Sequence, residues 1–175
     1  MKKLLTSFCL FAVASSVALA GPFSKSTKGF KEPVVPIPAP CIDGGEFTLG
    51  LFVGYAFADD EALGYDDGFA GGVDLIYYTT PQIGIGLEYF AFGSEPIHSV
   101  SGVVQVRFPM DCFAPYIFGT AGLLTDSIDQ FGAGIGAGFE YRVTPGVGVF
   151  SDGRYVFTEE NTDFTLVRAG LRFVF

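Results

Sequence analysis

The last twelve residues, Phe164 to Phe175, constrain the fold of this chain more than any other stretch. They read F-T-L-V-R-A-G-L-R-F-V-F, with apolar side chains at odd positions from 167 onward and Arg168, Gly170 and Arg172 at even positions. A strict period of two indicates a β-strand whose two faces meet different environments. A soluble sheet would show the same alternation. The all-arginine charged row and the final Phe favour a tilted strand of about 9 to 11 residues that crosses a bilayer.

Residues 1–20 have the pattern of a secretory signal peptide. Lys2 and Lys3 precede an apolar run, and Ala18 to Ala20 form an A-x-A cleavage site. We therefore predict that this segment is removed from an exported chain. Without it, eight basic residues face 19 acidic ones, which argues against nucleic acid as a partner.

Composition favours an all-β chain. The sequence holds 24 glycines, and each one inside a helix would cost about 1 kcal/mol relative to alanine. After residue 20, no run approaches the roughly 20 consecutive apolar residues that a spanning helix needs.

Six further segments alternate as the last one does, and residues 114–123 form one more predicted strand whose two rows are both largely apolar. Short proline-containing turns and longer acidic loops connect them in turn, as an up-and-down meander requires. An even number of strands permits closure, which removes unpaired edges. We predict an eight-stranded antiparallel up-and-down transmembrane β-barrel over residues 46–175, and the facing of residues 114–123 stays open. The predicted strands are 46–58, 68–79, 83–92, 98–108, 114–123, 131–142, 147–157 and 164–175.

Three stretches resemble the OmpA/OmpX-like family of bacterial outer-membrane barrels. They are P-Y-I-F-G-T-A-G, G-I-G-A-G-F-E-Y-R-V-T-P-G-V-G-V-F and the terminal L-R-F-V-F. The resemblance implies an outer-membrane location, with lipid and lipopolysaccharide around the barrel. It also implies that Leu171, Phe173 and Phe175 form a C-terminal signal read by the barrel-assembly machinery.

The segment 21–45 is predicted to be a stiff periplasmic tether, because its spaced prolines favour extended, unpaired backbone. Cys41 and Cys112 are the only cysteines beyond the signal peptide. If the tether and the short turns share the periplasmic side, both cysteines lie at one rim in an oxidising compartment. We predict a disulfide between them, and free or intermolecularly paired thiols are the alternative.

Charged residues also fall on the predicted inner rows of the strands. Side chains fill the interior of a barrel this narrow, and an unpaired charge there would cost several kcal/mol. We predict a network of paired charges that plugs the lumen, with a narrow porin-like channel for small solutes as the alternative. The predicted network comprises Asp74, Glu88, Arg107, Glu140, Asp152, Arg154, Arg168 and Arg172.

Enzyme chemistry has one candidate, His98, which stands beside Ser99 with Ser94 nearby. No family motif surrounds it, so an incidental loop histidine is favoured over a surface enzyme, and no catalytic residue is predicted. The glycines of G-A-G-I-G-A-G do not fit G-x-G-x-x-G, so no cofactor is predicted. The acidic loops lack a calcium-loop pattern, so no metal is predicted either. The predicted role is structural or surface-interacting, with no surface ligand identified.

Overall fold

The computed structural model describes residues 41–58, 67–93, 96–125, 129–159 and 163–175. The predicted signal peptide, residues 21–40 of the predicted tether and Ser94 lie outside these ranges. So do most residues of the acidic loops. Within the described ranges, no helix is long and apolar enough to cross a bilayer.

Eight antiparallel strands follow one another around a single closed barrel. The first and last strands close the barrel, where for example Leu51 pairs with Leu171. The fold prediction is thereby confirmed, and every predicted strand boundary lies within two residues of the observed one. The strands are β1 (Glu46–Ala58), β2 (Gly68–Tyr78), β3 (Ile83–Phe92), β4 (Ile97–Arg107), β5 (Phe113–Thr125), β6 (Asp129–Thr144), β7 (Val147–Thr158) and β8 (Phe164–Val174).

Burial alternates along the strands, and many large apolar side chains point outward. Leu87 and Ile135 expose 64% and 65% of their surface, an arrangement that suits a hydrocarbon solvent rather than water. In β5, whose facing was open, Tyr116 is buried whereas Ile117 is 53% exposed. Ile117 therefore lies on the lipid-facing side.

The two ends of the barrel differ in their connections. The short turns β2–β3, β4–β5 and β6–β7 lie at one end, here called the short-turn end, together with residues 41–45 and Phe175. The longer connections lie at the other end, here called the loop end. Aromatic side chains mark both ends of the outer surface: the rings of Phe47 and Tyr77 approach to 4.6 Å at the short-turn end. Tyr55 and Phe69 approach to 5.4 Å at the loop end, as expected for girdles at two membrane interfaces.

Apolar side chains fill part of the lumen. Toward the loop end, the ring centroids of Phe92 and Phe164 lie 4.8 Å apart, and that of Phe90 lies 5.9 Å from that of Phe92. This group, the loop-end cluster, belongs to a larger set of buried apolar residues. A second buried cluster comprises Ile76, Tyr78, Val103, Tyr116 and Phe118.

Inward glycines make room for these large side chains. A Cβ atom on Gly136 would lie 2.6 Å from Phe118 Cζ and 2.7 Å from Arg154 Cβ. A Cβ on Gly84 would lie 2.7 Å from a ring carbon of Tyr78. Aromatic and charged side chains of other strands therefore occupy the space that the glycines leave.

Residues 41–45 lie against the short-turn end. Cys41 and Cys112 form a disulfide with their Cα atoms 4.9 Å apart, which confirms the predicted bridge. The Ile42 side chain is buried. Gly45 has φ of +78°, a value that glycine adopts without strain, and its N–H donates to the carbonyl of the last residue of β2 at 2.7 Å.

Candidate functional site

Among the described residues, ten charged side chains lie in the lumen, five arginines and five carboxylates. Nine of them are no more than 4% exposed, and the tenth, Glu46, has 11% of its side chain exposed. The structure places all eight residues of the predicted network here and adds Glu46 and Arg142. Both added residues obey the same strand alternation as the others, which is the signal that could have identified them. The ten are Glu46, Asp74, Glu88, Arg107, Glu140, Arg142, Asp152, Arg154, Arg168 and Arg172.

At the short-turn end, two arginines share one carboxylate. Nη2 of Arg107 and Nη2 of Arg142 each lie 2.7 Å from Oε1 of Glu46. Arg107 also donates from Nε to the Pro81 carbonyl at 2.6 Å and from Nη2 to the Asp43 carbonyl at 2.8 Å. Residues 41–45 and the β2–β3 turn are therefore joined to the charged interior.

Next along the lumen, Arg172 on β8 contacts one carboxylate on each side, each of them two strands away around the barrel. Its Nη1 lies 2.8 Å from Oε2 of Glu140 on β6, and its Nη2 lies 3.4 Å from Oδ2 of Asp74 on β2. Glu140 also accepts a hydrogen bond from Nε of Arg142. This pair of carboxylates links the short-turn end to the centre.

Toward the loop end, Arg168 contacts three carboxylates. Its Nε lies 2.7 Å from Oδ1 of Asp152, and its Nη1 pairs with Glu88 and lies 3.8 Å from Oδ2 of Asp74. Asp74 and Glu88 face each other across β2 and β3, so Arg168 neutralises two adjacent like charges. Glu88 in turn pairs with Arg154.

These contacts join all ten side chains into one branched chain in which every ion pair links an arginine to a carboxylate. We call it the charge chain. Because five positive charges balance five negative ones, the group is neutral as a whole. Removing charges from water costs several kcal/mol per ion, and attraction to a partner of opposite sign offsets that cost. Each of the ten side chains has such a partner.

Aromatic rings stack against the same arginines. The Arg168 guanidinium lies 4.4 Å from the Phe52 ring centroid, and that of Arg172 lies 4.4 Å from the Phe150 centroid. Arg107 lies 3.5 Å over Tyr78. A planar guanidinium can bind carboxylates at its edge and rings on its faces, which explains how arginine suits a lumen lined with phenylalanine.

The two adjacent residues of the enzyme candidate, His98 and Ser99, lie on opposite faces of the barrel wall. His98 is exposed on the outer surface, where its Nδ1 lies 2.8 Å from the Tyr89 hydroxyl. Ser99 is buried on the lumen side. A nucleophile and its base must lie within hydrogen-bonding reach of each other, and these two side chains point to opposite faces of the sheet.

A closed barrel of eight antiparallel strands, apolar outside and charged inside, is a transmembrane β-barrel. No family model and no curated protein matches the sequence. Among solved structures, the N-terminal β-barrel domain of Pseudomonas aeruginosa OprF is similar, with a TM-score of 0.62 and 16% identity over 76% of this chain and 99% of that one. Neisserial surface protein A is similar with a TM-score of 0.61 and 19% identity, over 75% of this chain and 97% of that one. A de novo designed transmembrane β-barrel is similar with a TM-score of 0.54 and 20% identity, over 75% of this chain and 97% of that one. These similarities show the fold, which fits placement in a bacterial outer membrane.

Proposed function

We propose that this protein is an integral barrel of the bacterial outer membrane with a structural or surface-interaction role and a sealed lumen. One observation carries the proposal: the charge chain links residues from the short-turn end of the lumen to Arg154, beside the loop-end cluster. Apolar rings and paired charges together fill the space that a solute would need.

Opening such a lumen would require ion pairs to separate inside the barrel. Breaking a buried pair costs about 3–5 kcal/mol, because it leaves an uncompensated charge behind. Arg168 by itself contacts three carboxylates. Moving its side chain would therefore break three ion pairs at once. We therefore favour a sealed barrel over the narrow porin-like channel.

A non-enzymatic role agrees with the position of His98. Its ring packs beside Tyr89 on the lipid-facing surface, with 6.0 Å between the two ring centroids. Amphipathic rings of this kind are enriched at membrane interfaces, where one part contacts hydrocarbon and another contacts headgroups. A role in anchoring the β3–β4 hairpin at the interface accounts for the pair.

The partners of the barrel follow from its outer surface. The exposed apolar belt would contact lipid, and lipopolysaccharide where that forms the outer leaflet. Leu171 and Phe175 are 47% and 77% exposed on the outer row of the strand end, with Phe173 between them. This row is available to the barrel-assembly machinery. We further propose that residues 1–20 direct export and that residues 21–40 lie in the periplasm.

Conductance across planar bilayers tests the sealed lumen. We expect the refolded full chain to insert without discrete current steps. The positive control is a double variant, Phe90→Ala with Arg154→Ala, which removes a ring of the loop-end cluster and the adjacent arginine and should increase leak. Circular dichroism of the same vesicles verifies that both proteins are folded. Steady discrete openings of the wild type would refute the sealed lumen and support the channel.

A further inference from the structure

A small polar cavity lies inside the lumen next to the last arginine of the charge chain. Its volume is about 10 Å³ and its lining includes Ser99, Ser101, Thr120 and Arg154, with Phe90 among the apolar residues around them. The side chains of three different strands, β4, β5 and β7, thus contribute polar atoms to one small cavity.

Two of these lining residues have hydrogen-bonding capacity that the described part of the chain does not use. Neither Oγ of Ser101 nor Nε of Arg154 has a hydrogen-bond partner among the described residues, although the two residues are only 7% and 3% exposed. A buried polar group without a partner costs about 1–3 kcal/mol. Native proteins usually satisfy such groups with other protein atoms or with ordered water.

We propose that this cavity is a binding site for one ordered water molecule, which accepts a hydrogen bond from Arg154 Nε and bonds to the Ser101 hydroxyl. A cavity of roughly 10–15 Å³ holds a single water if two to four polar groups surround it. The hydroxyls of Ser99 and Thr120 line the same space and supply further contacts. The volume matches one water, and the polar part of the lining supplies its hydrogen-bond partners.

A small anion is the competing occupant, because Arg154 and three hydroxyl groups are all able to donate. The charge balance of the lumen argues against a bound anion. Arg154 already pairs with Glu88, and the five arginines of the charge chain balance its five carboxylates. An added anion would leave a net negative charge in the barrel interior, where uncompensated charge costs several kcal/mol. A neutral molecule satisfies the same donors at no such cost.

Apolar side chains border the proposed water site on the side toward the loop end. Phe90 and Leu124, which line the cavity, both belong to the apolar cluster toward the loop end. The water would therefore lie between the end of the charge chain and this apolar cluster.

Crystals of the full chain grown with bromide in place of chloride test the occupant. We expect one density peak within about 2.7–3.2 Å of Ser101 Oγ and Arg154 Nε, without an anomalous signal at the bromide absorption edge. An anomalous peak there would assign the site to an anion, and an empty cavity would also overturn the proposal.

A pair of valine substitutions provides a second test in detergent micelles. Ser101→Val places methyl groups in the cavity and removes one partner, so cross-relaxation between water and the amides of residues 101 and 122 should be lost. Ser151→Val is the control, because the Ser151 hydroxyl bonds to the Arg168 carbonyl at 3.1 Å and does not line the cavity. Cross-relaxation that persists in Ser101→Val, or is absent from the wild type, contradicts the proposal. If Ser101→Val does not fold, the wild-type spectrum and the crystals still decide the matter.

Discussion

Arg168 on β8 forms an ion pair with Glu88 on β3, across 80 residues of sequence and between strands that are not neighbours in the sheet. Backbone hydrogen bonds connect each strand only to the strand on either side. Contacts of this kind, together with the ring contacts between Phe92 and Phe164, therefore hold separate parts of the wall together across the lumen. Arg168 is the most connected member of the charge chain, and its loss tests the whole arrangement.

Replacing Arg168 with methionine should destabilise the barrel by about 3–5 kcal/mol, because Glu88 and Asp152 would each lose a buried ionic partner. The measurement is urea unfolding in lipid vesicles. Leu171→Met on the lipid-facing row of the same strand is the matched control and should cost less than about 1.5 kcal/mol. Equal stability of the two variants would show that the ion pairs contribute little.

Removing Arg172 and Asp74 together should cost less than the sum of the two single losses. Without both, the charge chain divides into two groups of four charges, each with two arginines and two carboxylates. Each single removal instead leaves one uncompensated charge. We expect a coupling energy within about 0.5–3 kcal/mol, the range for residues in contact, from a double-mutant cycle of Arg172→Met and Asp74→Asn. Strict additivity would contradict the pairing, whose closest distance is 3.4 Å.

Adjacent glycines on β2 should respond in opposite ways to alanine. A Cβ on Gly72 would meet the Tyr89 carbonyl oxygen and come within 2.6 Å of Phe52 Cζ, whereas a Cβ on Gly71 would find its nearest neighbour at 3.8 Å. Gly72→Ala should therefore cost about 1–3 kcal/mol by overpacking. Gly71→Ala should be neutral or gain up to about 1 kcal/mol from a less flexible unfolded chain. The measurement is the free energy of unfolding of both variants in the same lipid. A Gly71→Ala variant that is destabilised as much as Gly72→Ala would contradict the assignment of the inner and outer faces of β2.

Loss of the disulfide should lower stability by about 2–4 kcal/mol, because the bridge closes a long loop in the unfolded chain. The two cysteines are 71 residues apart. Unfolding midpoints of the wild type with and without reductant measure the effect. A double variant, Cys41→Ser with Cys112→Ser, should match the reduced wild type and show no response to reductant. A response in that variant would mean that reductant acts elsewhere.

Much of the barrel could be predicted from alternation, because a strand has a period of two whatever its neighbours are. β5 was the exception, since both of its rows are largely apolar and give no contrast between faces. Pairing settled its facing: Tyr116 lies opposite Arg107 in the sheet, and directly paired residues point to the same side. Arg107 is buried in the lumen, so Tyr116 is inside as well.

The partners within the charge chain were not predictable in the same way. Alternation shows that a charge points inward, but which carboxylate an arginine reaches depends on strand stagger, on the long flexible side chain and on the rings beside it. Arg172 thus bridges β2 and β6 although neither is adjacent to β8. The contact between Arg107 and the Asp43 carbonyl is of the same kind, because it depends on how residues 41–45 lie on the barrel end.

The sequence by itself determined the number, order and facing of nearly all the strands, since local backbone geometry alone imposes the repeat of two. The tertiary structure decided which charges meet, which side chains fill the lumen and where residues 41–45 lie. Those outcomes depend on distances across a closed barrel, and such distances exist only once the first and last strands have paired.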